Sequence, residues 1–155
     1  MICAGEISSD ILAADLVQEL KALCPDLEFF GMGGDRMKES GVDIYWHIRN
    51  LEMLGVSQVI RNTGKFIQIQ RQLIKSAKHR DACMIILVDS PGFNILFGLR
   101  AKRKLKCRII YYAAPQIWAW WPQRIQLIKK FVDTMFVIFP FEEAIYRNHG
   151  IEAYY

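Results

Sequence analysis

Asp89 ends an unbroken apolar run, Cys-Met-Ile-Ile-Leu-Val at positions 83–88, and is followed by Ser90-Pro91-Gly92-Phe93-Asn94. A core strand has no use for a carboxylate at its end. At the edge of a sheet, partial burial raises a carboxyl pKa and suits the group to take a proton from a substrate hydroxyl. The alternative for Asp89 is a helix cap. A second acid, Glu6, stands in Ala4-Gly5-Glu6-Ile7-Ser8-Ser9-Asp10. Gly5 lets a ligand approach the backbone there, and the helix that follows offers free N–H groups to an anion. Glu6 and Asp10 equally suit that helix's dipole.

Two other loops carry unusual side chains. In Ala113-Ala114-Pro115-Gln116-Ile117-Trp118-Ala119-Trp120-Trp121, three tryptophans lie within four residues. They line an acyl or sugar pocket, sit at a membrane interface, or pack as a hydrophobic corner. Phe139-Pro140-Phe141-Glu142 places Glu142 in the first turn of a helix. Gly31-Met32-Gly33-Gly34 lacks the third glycine of a dinucleotide fingerprint and reads as a turn. In residues 51–60, Leu51, Met53, Leu54, Val56, Val59 and Ile60 surround a helix axis instead of forming one stripe. Such a segment is either buried or inserted into lipid.

These loops need strands to hold them. Short strands are expected over 2–4, 27–30, 42–46, 83–88, 108–112 and 134–139, with another starting at Ile151. Helices are expected between them. The first carries Leu12, Leu16, Leu20 and Leu23 at helical spacing, with Ser8, Ser9 and Asp10 as caps. Residues 51–80 read as a helix broken near 62–64, with Phe66, Ile69, Leu73 and Ala77 on one face. Further helices cover 35–40, 91–104, 123–131 and 141–149, and Gly41 and Gly150 close two of them. Alternating strands and helices define an α/β, Rossmann-like doubly wound parallel sheet, in which ligands bind beyond the carboxyl ends of the strands. The 155 residues suit one domain. A first strand of three residues and a last one without a following helix are expected of one lobe of a longer chain.

Composition narrows the class. Apolar residues make up 52% of the chain, enough for a core, which argues against disorder. No apolar run is long enough to span a bilayer, and the first residues do not read as a signal peptide. Cys3, Cys24, Cys83 and Cys107 form no CxxC pair and read as reduced, buried thiols of a cytosolic protein. The net charge of +4 is gathered in three clusters: Lys75 to Arg80, Arg100 to Arg108, and Arg124 with Lys129 and Lys130. Such clusters attract phosphates or anionic head groups, or are solvated helix ends.

Together these residues resemble one family. Ala4-Gly5-Glu6-x-Ser8-x-Asp10, Gly31-x-Gly33-Gly34-x-Arg36-Met37, Leu54-Gly55, Asp89-x-Pro91-x-Phe93-Asn94, Pro115-x-x-Trp118-Ala119-Trp120 and Pro140-Phe141-Glu142 occur in the order of the N-terminal half of the lipid-A-disaccharide synthases. Those are bacterial inverting glycosyltransferases of the GT-B type. The resemblance implies transfer of 2,3-diacylglucosamine from its UDP derivative to 2,3-diacylglucosamine 1-phosphate, on the cytoplasmic face of the inner membrane. It agrees with Asp89 as the catalytic general base, with Glu6 as the rival catalytic carboxylate. Gly5, Ser8, Asp10, Asn94, Pro115, Trp118, Trp120 and Glu142 would bind substrate, and Leu51, Met53, Leu54, Val56 and Ile60 would meet acyl chains or an anionic membrane. No cofactor, metal or nucleic-acid partner is expected, and the motifs do not specify an oligomeric state. The second, nucleotide-sugar lobe of such an enzyme lies outside residues 1–155, so this lobe alone is expected to be inactive. The chain departs from the family at Ser9 (usually Gly), Gly92 (usually acidic) and Trp121 (usually Arg). The competing readings are a non-catalytic lipid- or membrane-binding domain and another GT-B or epimerase-like nucleotide-sugar enzyme.

Overall fold

The computed structural model describes residues 1–52, 63–119 and 122–155. Seven strands form one sheet: β1 (Ile2–Ala4), β2 (Phe30–Gly33), β3 (Asp43–His47), β4 (Met84–Val88), β5 (Arg108–Tyr112), β6 (Thr134–Phe136) and β7 (Ala153–Tyr154). Their order is β3-β2-β1-β4-β5-β6-β7, and every neighbouring pair is parallel. This is the doubly wound, Rossmann-like α/β sheet expected from the sequence. The order reverses between β1 and β4, and a crevice opens at such a reversal.

The apolar run in β4 explains why that strand is central. Ile85 and Leu87 enter one core, while Ile86 and Val88 enter the other, so both faces are covered. On the first face pack α4 (Thr63–His79), α5 (Pro91–Lys104), α6 (Ile125–Ile128) and α7 (Pro140–Asn148). α4 uses the anticipated stripe: Ile69, Leu73 and Ala77 are buried and Phe66 packs against them. On the second face lie α1 (Ile7–Leu23) and the short α2 (Asp35–Glu39).

Two assignments change. The leucines of α1 do not form its buried stripe. Ser9, Asp10, Ala13, Ala14 and Val17 do, whereas Leu12 is 37% and Leu23 78% exposed. Small side chains let α1 lie close to the sheet, and Leu16 and Leu20 only flank that contact. The second shift concerns Gly31 and Gly33, which belong to β2 and not to a turn after it. A Cβ on Gly31 would stand 2.0 Å from the carbonyl oxygen of Ile2 on β1, so glycine is there for close backbone approach.

The cysteines also differ from expectation. Cys3 is buried and burial pushes its thiol up to about 12. Cys24 and Cys83 are exposed, and all four are free. No helix among the described residues is long and apolar enough to cross a membrane.

Candidate active site

The residues singled out by type converge at the carboxyl ends of β1, β4 and β5. Ala4 pairs with Val88 and Val88 with Tyr112, so Gly5-Glu6, Asp89-Ser90 and Ala113-Ala114 emerge side by side. Glu6 is the N-cap of α1, and Asp89 lies between β4 and α5. The capping alternative for Asp89 falls away, because Ser90 occupies the N-cap of α5.

The loop that carries Asp89 is held in an uncommon shape. Asp89 and Ser90 have φ of 44° and 45°, and Ala113 beside them has 58°. Consecutive left-handed, non-glycine residues persist only where the surroundings over-determine them, and they gather at functional sites. Here the surroundings are specific. The Asp89 carbonyl accepts hydrogen bonds from the Tyr111 hydroxyl at 2.6 Å and Asn94 Nδ2 at 2.8 Å. Ser90 Oγ accepts from the Gly5 N–H at 3.0 Å and lies 3.0 Å from Ser9 Oγ. Ser9 in turn donates to the Glu6 carbonyl at 2.8 Å and accepts from the Glu6 N–H at 3.0 Å. The loops bearing the two acids are thus tied to each other through two buried serines. A Cβ at position 5 would stand 3.0 Å from Ser90 Cβ, so Gly5 makes room for this contact. Ser9 ties the first loop to the second in this way. The Gly92 departure is open: a Cβ there would meet nothing within 4 Å.

Both acids are tuned. Burial raises the Asp89 carboxyl above its ordinary value, against a hydrogen bond from the Ser90 N–H. Burial and the nearby Asp89 charge raise Glu6. A carboxylate with a raised pKa is a better proton acceptor at neutral pH. Asp89 also faces a cavity of about 330 Å³, whose walls include Pro91, Pro115, Gln116, Arg124 and Ile138. Among the described residues no three His, Cys, Asp or Glu side chains are grouped to hold a metal.

Other candidates have scaffold work. Asp10 is buried. Its carboxylate accepts from the backbone N–H groups of Gly34, Arg36 and Met37 at 2.6, 3.1 and 3.2 Å, fixing the start of α2. Glu142 is fully buried and accepts from the N–H groups of Ile138 and Phe139 at 3.1 and 3.0 Å and from Trp118 Nε1 at 2.8 Å. It closes the start of α7 and orients Trp118, which lies edge-on against Phe141. Asn94 is buried beneath the Asp89 loop, and Pro115 lends its carbonyl to the Tyr146 hydroxyl at 2.7 Å. Ser8 is exposed in the first turn of α1. Met53, Leu54, Val56, Ile60, Trp120 and the Leu51 side chain lie outside the described residues. Residue type did not single out Ser90, Tyr111 or Arg124 as parts of the site. A tyrosine inside a buried strand must find a partner for its hydroxyl, and that was the available signal for Tyr111.

The basic clusters mostly lie elsewhere. The carboxyl ends of α4, α5 and α6, with Lys75 to Arg80, Lys102 to Lys106 and Lys129-Lys130, feed the amino ends of strands, opposite the crevice. Part of their charge is matched. Arg80 bonds Glu28 and Asp43 at 2.8 Å each, and Lys102 bonds Asp133 at 2.6 Å. Arg124 alone of these residues lines the Asp89 cavity.

A parallel sheet whose switch point carries two carboxylates near a cavity defines a Rossmann-like α/β lobe with a candidate ligand site. A model of the lipid-A-disaccharide synthetase family matches residues 1–155, and the chain belongs to that family. It is 42% identical to a lipid-A-disaccharide synthase of Myxococcus xanthus (strain DK1622), over 100% of this chain and 40% of the relative. It is 43% identical to lipid-A-disaccharide synthase 1 of Legionella pneumophila (strain Lens), over 97% of this chain and 39% of that protein. A Coxiella burnetii (strain Dugway 5J108-111) synthase is 38% identical over 97% of this chain and 40% of its own length. The chain thus spans about two-fifths of the relatives' length.

Proposed function

We propose that this lobe binds the acceptor of an inverting glycosyl transfer in lipid A biosynthesis and supplies its general base. In that reaction the 6-hydroxyl oxygen of 2,3-diacylglucosamine 1-phosphate attacks the anomeric carbon of UDP-2,3-diacylglucosamine from the face opposite UDP. The new carbon–oxygen bond forms as the bond to the β-phosphate breaks, and its electron pair leaves on UDP. The hydroxyl proton passes to Asp89. The product is the β-1′,6 disaccharide. The observation that carries this reading is Asp89, raised by burial and facing the cavity at the switch point. The rest of the catalyst is the nucleotide-sugar lobe of a GT-B enzyme. The test is a hybrid in which these 155 residues replace the matching segment of the Myxococcus xanthus relative. Supplied with both substrates, it should release UDP and the disaccharide in equal amounts. A folded hybrid that binds vesicles but makes no disaccharide would leave the non-catalytic lipid-binding reading in its place.

Membrane attachment is part of the same proposal. The clusters at the amino edge face away from the crevice, so attachment through them alone would turn the reaction site from the bilayer. α3 (Arg49–Glu52) follows β3 in the chain, and the sequence from Leu51 to Ile60 carries the apolar residues suited to lipid. The chain should therefore co-sediment with phosphatidylglycerol vesicles. Replacing Met53, Leu54 and Val56 by Ser should weaken this about tenfold or more, through lost apolar burial. Added salt should weaken it further by screening. Binding that ignores both changes would make the segment core.

A further inference from the structure

We propose that Arg124 recognises the phosphate of a sugar phosphate whose free hydroxyl faces Asp89. Asp89 and Arg124 are the two charged side chains among the described walls of the cavity, and the remaining walls are Pro91, Ala114, Pro115, Ile117, Ile138 and the amide of Gln116. An acid and a guanidinium in one small cavity, with the other described walls uncharged, suit a ligand with a hydroxyl to deprotonate and an anion to hold. Arg124 reaches this place because a 3-10 turn, Pro122–Arg124, follows the β5 loop and keeps it at the carboxyl edge, while α6 carries Lys129 and Lys130 to the other side. The fields of the two charges meet at one buried group. Burial and the Asp89 charge raise the Tyr111 hydroxyl, and Arg124 opposes them. A guanidinium presents paired N–H donors that match phosphate oxygens, which a lysine cannot do with the same geometry.

Size separates the two sources of phosphate in the reaction. At about 330 Å³ the cavity is at the small end of ligand pockets. It suits one sugar ring with its phosphate, and a nucleoside diphosphate sugar needs more. The assignment rests on the transferase reading only for the identity of that sugar phosphate as the acceptor.

The experiment titrates the 155-residue chain with glucosamine 1-phosphate, glucosamine and UDP, followed by amide chemical shifts. The unsubstituted chain should bind glucosamine 1-phosphate saturably and more tightly than glucosamine. Arg124→Gln should weaken glucosamine 1-phosphate by about 10- to 100-fold, the loss expected for a charge-assisted pair, and leave glucosamine unchanged. Arg124→Lys, which keeps the charge, should fall between, and it decides the matter if Arg124→Gln does not melt like the parent. No saturable binding of glucosamine 1-phosphate to the parent chain overturns the proposal, as does equal binding by the Gln variant. Loss of UDP binding with glucosamine 1-phosphate unaffected overturns it too and moves Arg124 to the donor. In the hybrid enzyme, Arg124→Gln should raise the acceptor KM and spare the donor KM. An active hybrid whose acceptor KM ignores Arg124 refutes this assignment alone, whereas phosphate-dependent binding in an inactive hybrid refutes only the transferase reading.

Discussion

Asp89→Asn should lower kcat of the hybrid enzyme by about 10²- to 10⁴-fold while leaving acceptor affinity within a few fold. Asparagine is the informative substitution for three reasons. It keeps the size of the side chain. It tolerates the left-handed backbone that Asp89 adopts at φ 44°. It can still accept from the Ser90 N–H, while being unable to take a proton. The rival is Glu6, which emerges beside Asp89 but is more exposed and carries the N-cap of α1. Glu6→Gln should cost less in kcat than Asp89→Asn. Near-normal turnover of Asp89→Asn with loss in Glu6→Gln would reverse the assignment, and normal turnover of both would place the base outside these residues.

The pH dependence of the same variant has a definite sign. Burial raises the Asp89 pKa in the folded protein. The rate should therefore fall in acid at a pH above the ordinary aspartate value, and Asp89→Asn should lose that acid limb. Stability follows the same linkage. With a raised folded pKa, the charged form is the one the fold disfavours. Its penalty is fully present above the folded pKa and vanishes below the unfolded one. Asp89→Asn should then melt at or above the parent temperature at neutral pH, and any gain should disappear as the pH falls through the carboxylate range. A site that costs stability in its working state is what tuning a carboxylate for chemistry entails.

How far the sequence reveals this site depends on how local each interaction is. The run at 83–88, ended by an acid, shows the central strand and its candidate base together, because burial on both faces leaves a continuous apolar stretch. The bounds of β5 and α5 are equally local, and both agree with expectation. The resemblance implies substrate contacts for Asp10 and Glu142, and the structure adds scaffold partners for both. Asp10 serves N–H groups 24 to 27 positions away, and Glu142 serves Trp118. A sequence shows the acceptor but not those donors. The same holds for the bracing of Asp89 by Tyr111 and for the Ser9–Ser90 contact, which spans 81 positions. The spacing of the α1 leucines reveals a stripe without saying which stripe the sheet accepts. Ala13 and Ala14 win because a close helix–sheet approach leaves no room for leucine.

Gly31→Ala should be the most damaging added methyl among the described glycines. Gly31 has φ 150°, a conformation that L side chains rarely adopt, and its added Cβ would stand 2.0 Å from the Ile2 carbonyl oxygen and 3.0 Å from the Ile2 carbon. Both obstacles are backbone, so no rotamer change relieves them. Relief requires β2 to move away from β1, where Ile2 and Gly31 are register partners and Cys3 pairs with Met32. The strand pair has only this short overlap to hold it. Backbone strain of about 1–3 kcal/mol, overpacking of about 1–3 kcal/mol and a lost ladder hydrogen bond together approach about 4 kcal/mol. Against a total stability of about 5–15 kcal/mol, that removes a large part of the fold's margin. The melting temperature should fall by roughly 10 °C or more. Gly92→Ala is the matched control, since its Cβ enters open space, and it should melt within a few degrees of the parent. β1 also carries Gly5 and Glu6 to the crevice, so the strand that loses its partner is the one that sets the acids side by side. A folded Gly31→Ala protein should therefore lose activity beyond what its melting curve accounts for. A variant that melts within about two degrees of the parent would show that β1 and β2 can part without cost.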